Sequence, residues 1–208
     1  MSALTPGPSP LPASIARVLI TGFMGAGKTT VGQLLAERLG WDFADSDHLL
    51  EAQTRQTIAA IFKSQGEPAF RDLEAAAIRN SLTQQRLVLA LGGGALERAE
   101  TRDLLASIPD SVLIFLDAPL DVLLSRCSGQ PNAPVRPVLA DRVRLQERWT
   151  ARLPWYRQAH LTVHTAGCAP DQVVVHILHE IEEHCRGTAT RNSGAASFPG
   201  RRRRGVPA

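Results

Sequence analysis

The 208-residue sequence predicts a three-layer α/β domain, with helices on both faces of a parallel sheet. Three observations carry this. Short apolar runs alternate with longer stretches of helical periodicity. Those runs are apolar throughout instead of alternating, as strands covered on both faces should be. The first run also ends in a glycine-rich turn that opens a helix.

In chain order, Arg17–Thr21 reads as the first strand, and Val31, Leu34, Leu35 and Leu39 give the helix behind it its apolar spacing. Residues 41–44 form a short second strand, followed by helical stretches over 48–54, 57–65 and 67–84. A third strand over 87–91 ends in three glycines, a helix covers 97–106, a fourth strand 111–116 and a helix 120–127. Residues 128–140, with Gly129, Pro131, Asn132, Pro134 and Pro137, read as a loop. Asp141 suits the N-cap of a helix running toward Arg152. A fifth strand over 161–164 precedes a last helix over 171–185, with Pro170 fitting its first turn. In such sheets ligands bind at the carboxyl ends of the strands, so the residues after each strand are the ones to read for chemistry.

Composition narrows the function. With 44% hydrophobic and 21% charged residues, the chain reads as one ordinary globular domain. That domain is expected over 17–186, between a disordered leader (1–16) and a disordered basic tail (187–208). The formal charge of +3 becomes −1 once Arg201, Arg202, Arg203 and Arg204 are set aside, so no nucleic-acid surface is implied. Cys127, Cys168 and Cys185 have no metal-ligand spacing and suit a reducing cytosol. Nothing approaches the roughly 18 apolar residues of a membrane span. The expectation is a cytoplasmic protein without nucleic-acid or membrane partners, and no long exposed apolar heptad argues against a monomer.

The clearest motif follows the first strand: residues 22–30, Gly-Phe-Met-Gly-Ala-Gly-Lys-Thr-Thr, match G-x-x-x-x-G-K-[ST] between a strand and a helix. Gly25 and Gly27 let successive backbone amides point inward at an anion, and the helix starting near Lys28 adds its dipole. Lys28 reaches the β- and γ-phosphates, and the Thr29 hydroxyl can hold Mg²⁺. Lys28 and Lys63 are the only lysines among 23 basic residues, so a point charge is retained here against the bias of the chain. The motif implies a nucleotide but not what receives the phosphate.

Four further segments bear on the acceptor. Asp45 and Asp47, after the second strand, suit one metal-facing and one hydroxyl-facing carboxylate; a helix N-cap pair is the plain alternative. Arg71 sits between Phe70 and Leu73 and is either part-buried or an ordinary surface arginine. Gly92, Gly93 and Gly94 let a ligand lie on backbone amides, or simply make a flexible turn. Arg136, in the proline-rich loop, can close over a transferring phosphoryl group, and Arg152 stands at a helix end. Arginines from three segments beside paired aspartates suit an acceptor carrying both an anion and hydroxyls.

Together these pieces resemble shikimate kinase: residues 22–30, Asp45-Ser46-Asp47, Phe70-Arg71-Asp72-Leu73-Glu74, the glycines 92–94, Arg136-Pro137-Val138-Leu139, and Arg152-Leu153-Pro154-Trp155-Tyr156 occur in that family's order. The resemblance implies a P-loop kinase domain with a five-stranded parallel sheet in the order 2-3-1-4-5, a lid loop, and phosphorylation of the shikimate 3-hydroxyl by ATP. It places Asp47, Arg71, the 92–94 glycines and Arg152 on shikimate, and Arg136 and the P-loop (Gly25, Ala26, Gly27, Lys28, Thr29, Thr30) on the nucleotide. Lys28, Asp47 and Arg136 become the catalytic set, Thr29 the Mg²⁺ ligand, and Asp45 its partner through water. Arg126 corresponds to a residue lining the adenine pocket, although an isolated reading makes it a surface arginine. The sequence departs from the family at Trp155, where leucine is usual, in its proline-interrupted lid, and at Ala166-Gly167-Cys168, where some members carry a polar side chain. Other readings are a kinase of another hydroxy acid such as gluconate, a non-catalytic binding protein of the same fold, or a nucleic-acid-associated protein using its arginine tail.

Overall fold

A computed structural model describes residues 11–128 and 141–193. The expected lid loop with Arg136, and the arginine run 201–204, lie outside the described residues. The elements are β1 (Arg17–Thr21), α1 (Lys28–Leu39), β2 (Asp42–Asp45), α2 (Ser46–Thr54), α3 (Ile58–Ser81), β3 (Leu87–Ala90), a 3₁₀ turn (Ala95–Glu97), α4 (Ala99–Ala106), β4 (Ser111–Asp117), α5 (Leu120–Ser128), α6 (Arg142–Tyr156), β5 (Leu161–His164) and α7 (Pro170–Ser193).

The five strands form one parallel sheet in the order β2-β3-β1-β4-β5. β1 lies in the middle, with Leu19 opposite Leu89 on one side and Leu113 on the other. All five residues of β1 and all four of β3 are buried. Because successive side chains point to opposite faces, the sheet must be covered on both. The edge strand β5 departs from that pattern. Leu161 and Val163 are buried while Thr162 and His164 are exposed, so it alternates as a strand with one open face does. The main core joins β1, β3 and β4 to Leu35 and Leu39 of α1, Leu145 and Tyr156 of α6, and Ile177 and Ile181 of α7.

The helices differ from the expected ones in instructive ways. The stretches expected over 57–65 and 67–84 are one element, α3, interrupted where Gly66 takes φ 80° and ψ 174°. The helix expected over 97–106 begins as the 3₁₀ turn and becomes α4 only at Ala99. α7 continues past residue 185 to Ser193, and ahead of β1 Leu11 is buried in the main core. A second, smaller core of Leu50, Ile61, Phe70 and Ala77 holds α2 against α3.

Candidate active site

The turns after β1, β2, β3 and β5 meet at the carboxyl end of the sheet around a cleft of about 700 Å³. That volume suits a nucleotide with a small second substrate. Residues 24–31 form one wall, Asp45, Asp47, Gly93 and Arg152 another, and Arg126, Thr165, Cys168 and Pro170 the far end.

The P-loop has the geometry its sequence demands. Gly25 and Gly27 take φ 77° and 88°, and α1 starts at Lys28. Gly25 must also be small: a Cβ there would collide with the Leu123 carbonyl of α5 and come within 3.0 Å of Cys127 Sγ. α5 therefore braces the loop from below. The Lys28 ammonium donates to the carbonyls of Gly22 (2.9 Å) and Phe23 (3.3 Å). Burial lowers its pKa, against the pull of Asp47 and Asp45.

Asp45 is a helix cap and also faces Thr29. Its Oδ1 accepts from the Asp47 amide at 3.0 Å and caps α2, and its Oδ2 accepts from the Thr29 hydroxyl at 2.8 Å. The cap leaves Asp47 one position into the helix, facing the turn after β3. Ser46, fully buried, accepts from the Gly92 amide at 2.8 Å and locks the β2 and β3 ends together. A Cβ on Gly92 would lie 2.6 Å from Asp47 Oδ1 and closer still to Glu74 Oε1, so two carboxylates crowd the same side of this backbone. Burial pushes both Asp47 and Glu74 above the ordinary carboxylate range; Asp45 adds to the effect on Asp47, and Arg71 opposes that on Glu74.

Arg71 is part-buried, with its side chain 11% exposed. Phe70 fills the smaller core, and Arg71 beside it reaches the turn after β3. Its guanidinium lies on Gly94, where a Cβ would come within 2.6 Å of Nη1. It pairs with Glu74 (2.8 Å), Glu97 (3.0 Å) and Glu67 (3.2 Å). Burial works against the Arg71 charge, but these carboxylates outweigh it and hold the pKa above its usual value. Arg152 reaches the same turn from α6, over the Phe23 ring at 5.8 Å, with Nε on Glu97 Oε1 at 2.5 Å. Tyr156, one turn later, donates to the Gly93 carbonyl. Trp155 is turned elsewhere, with the Arg102 guanidinium 3.9 Å from its ring centroid. Arg126 is no loose surface arginine: it donates to the Thr165 hydroxyl (2.9 Å) and carbonyl (2.6 Å) at the far end of the cleft.

The structure thus brings Asp45, Asp47, Gly93, Arg126 and Arg152 to the cleft beside the P-loop and joins Arg71 to them through Gly94 and Glu97, without Arg71, Gly92 or Gly94 lining the cleft itself, while Arg136 lies outside the described residues. Sequence reasoning missed Ser46, Glu97 and Thr165 as members of the site. Thr165, the first residue after β5, was open to discovery by the strand-end rule.

The model of the shikimate kinase family matches residues 24–182. The chain belongs to the shikimate kinase family. It is 40% identical to a shikimate kinase of Psychrobacter arcticus over 83% of this chain and 92% of that protein. Among solved structures it is similar to a shikimate kinase from Acinetobacter baumannii in complex with shikimate, with TM-score 0.74 and 36% identity over 81% of this chain and 94% of that one. A gluconokinase from Sinorhizobium meliloti matches with TM-score 0.60 at 20% identity, over 85% of this chain and 97% of that one, which is a likeness of fold alone.

Proposed function

We propose that the chain transfers the γ-phosphoryl group of ATP to the 3-hydroxyl of shikimate, giving 3-phosphoshikimate on the route to chorismate and the aromatic amino acids. The observation that carries this is the convergence of Asp47, Arg71 and Arg152 on the 92–94 turn, within reach of the phosphate cradle. Two guanidinium groups suit a single carboxylate. Asp47, with a pKa raised by burial, suits the hydroxyl it would orient or deprotonate. Membership of the shikimate kinase family supports the same acceptor, and the fold likeness to a gluconokinase carries no substrate argument.

In this mechanism the amides of Gly25, Ala26, Gly27 and Thr30 seat the phosphates. Lys28 exchanges its two carbonyl partners for phosphate oxygens. Arg126 borders the adenine end, and Arg136 is assigned the lid role that the family resemblance implies. Thr29 and Asp45 would hold Mg²⁺: both offer hard oxygen, they already lie 2.8 Å apart, and a magnesium ion at a phosphate site needs few protein ligands. Bound there, the ion would neutralise charge on the β- and γ-oxygens. The protein's own contribution is to align the hydroxyl with the phosphorus and to exclude water. We place this activity in the cytoplasm, as cysteine usage suggests, and in a monomer, as the family resemblance implies.

Coupled ADP release, measured with ATP, Mg²⁺ and shikimate beside gluconate and no-acceptor controls, tests the proposal. Shikimate-dependent release is expected, falling by at least ~10²-fold in Lys28→Ala and strongly in Arg136→Ala, and stopping when EDTA removes the metal. ATP binding without shikimate-dependent release overturns it.

A further inference from the structure

We propose that Glu97 is a built-in competitor for the acceptor's carboxylate, and that its displacement sets the affinity and charge preference of the acceptor site. The proposal deepens the shikimate reading above and takes its main probe from it.

The Glu97 carboxylate bridges the two arginines assigned to the acceptor. Oε1 accepts from Arg152 Nε at 2.5 Å and Oε2 from Arg71 Nη2 at 3.0 Å. One carboxylate across two guanidinium groups is the arrangement an incoming substrate carboxylate would adopt. The local charge makes simple addition unfavourable. Arg71 and Arg152 supply two positive charges, and Glu67, Glu74 and Glu97 already place three negative charges on them. Asp47 adds another carboxylate, against the same side of Gly92 as Glu74. A further anion therefore enters well only if one of these leaves.

Glu97 is the group built to leave. Glu74 is 4% exposed, and its carboxylate flanks Gly92. Glu67 touches Arg71 alone, from the solvent side. Glu97 is 35% exposed and closes the 3₁₀ turn that follows Gly94, with its amide on the Gly94 carbonyl. Its backbone is held independently of its side chain: Arg102, stacked on Trp155, donates to the carbonyls of Leu96 (2.7 Å) and Glu97 (2.9 Å). The side chain can swing out by rotamer change while the turn stays fixed. Trp155, which departs from the family's usual leucine, thus supports the turn that carries the competitor.

The test compares dissociation constants, read by calorimetry, for shikimate, its neutral methyl ester and cyclohexene-1-carboxylate in wild type, Glu97→Gln and Glu97→Ala. Both carboxylates should bind about fivefold more tightly, or better, in both variants, with the ester changing by less than twofold. Unchanged or weaker carboxylate binding, or equal tightening of the ester, overturns the proposal; the first would make Glu97 a positioning residue for the arginines. Wild type supplies a check that needs no variant. Because the acid must displace Glu97, it should bind less than tenfold more tightly than the ester, and a larger preference overturns the idea. Failure of wild type to bind shikimate sinks the acceptor reading instead, and the cyclohexenecarboxylate comparison still decides Glu97.

Discussion

The Tyr156 hydroxyl donates to the Gly93 carbonyl at 2.5 Å, while its ring stacks on Phe115 of β4 with centroids 5.2 Å apart. The end of α6 is thereby tied to the turn after β3, and Arg152, one helical turn earlier, takes its position from that tie. Burial pushes the phenol up to about 12, so the donor persists across the working pH range. Tyr156→Phe is expected to cost about 1 kcal/mol in urea unfolding and to raise the KM for shikimate several-fold, with the KM for ATP moving much less. An acceptor KM equal to that of wild type would show that this bond does not position the turn.

Asp47 makes opposite demands on stability and turnover. Its pKa lies above the ordinary 3.8, chiefly through burial. Between 3.8 and the raised value the folded chain binds more protons than the unfolded one, so stability falls as pH rises through that window. The penalty is complete above the raised value and absent below 3.8. Asp47→Asn should therefore melt higher than wild type at pH 7, by a few degrees, while losing at least ~10²-fold in kcat. The margin should vanish near pH 3. A melting point that does not rise at pH 7 contradicts the assignment.

Gly25 is constrained twice, by φ 77° and by the α5 backbone beneath it. An alanine there meets left-handed strain and a carbonyl that cannot rotate away, for a combined loss of about 3 kcal/mol. Gly25→Ala should lower the melting temperature and weaken ATP binding together. Intact ATP affinity in a destabilised variant would separate the brace from the cradle.

Gly94 gives the complementary result on the acceptor side. A Cβ there drives into the Arg71 guanidinium. Gly94→Ala is expected to raise the KM for shikimate by about tenfold or more, with a much smaller change for ATP, because a displaced fork loses its bidentate geometry. Steady-state kinetics with each substrate varied in turn decides this.

The phosphate cradle was legible from sequence because its chemistry is local: the glycine spacing, Lys28 and the helix start lie within one short segment. Asp45 and Asp47 were legible from the residues as a pair, and only the family resemblance divided their labour, because the contact of Asp45 with the Thr29 hydroxyl depends on the first turn of α2. Glu97 was illegible for two reasons. Helical periodicity carried it into α4, whereas the three preceding glycines let the chain tighten into a 3₁₀ turn. Its partners, Arg71 and Arg152, also come from distant segments, and no local pattern records that meeting. Ser46 was hidden similarly, its buried hydroxyl serving a backbone amide on another strand. At the sheet edge, Leu161-Thr162-Val163-His164 alternates in the sequence itself, and the sheet order gives the reason: β5 lies at an edge with one face open.

The separate small core of Leu50, Ile61, Phe70 and Ala77 has an evolutionary consequence. It orients Arg71 without sharing a side chain with the main core that supports the P-loop. Mutations confined to these four side chains can retune which acceptor is accepted while the main core under the ATP machinery stays intact. A lineage built on this scaffold can therefore explore new acids and alcohols one substitution at a time, without first passing through an ancestor that has lost its nucleotide.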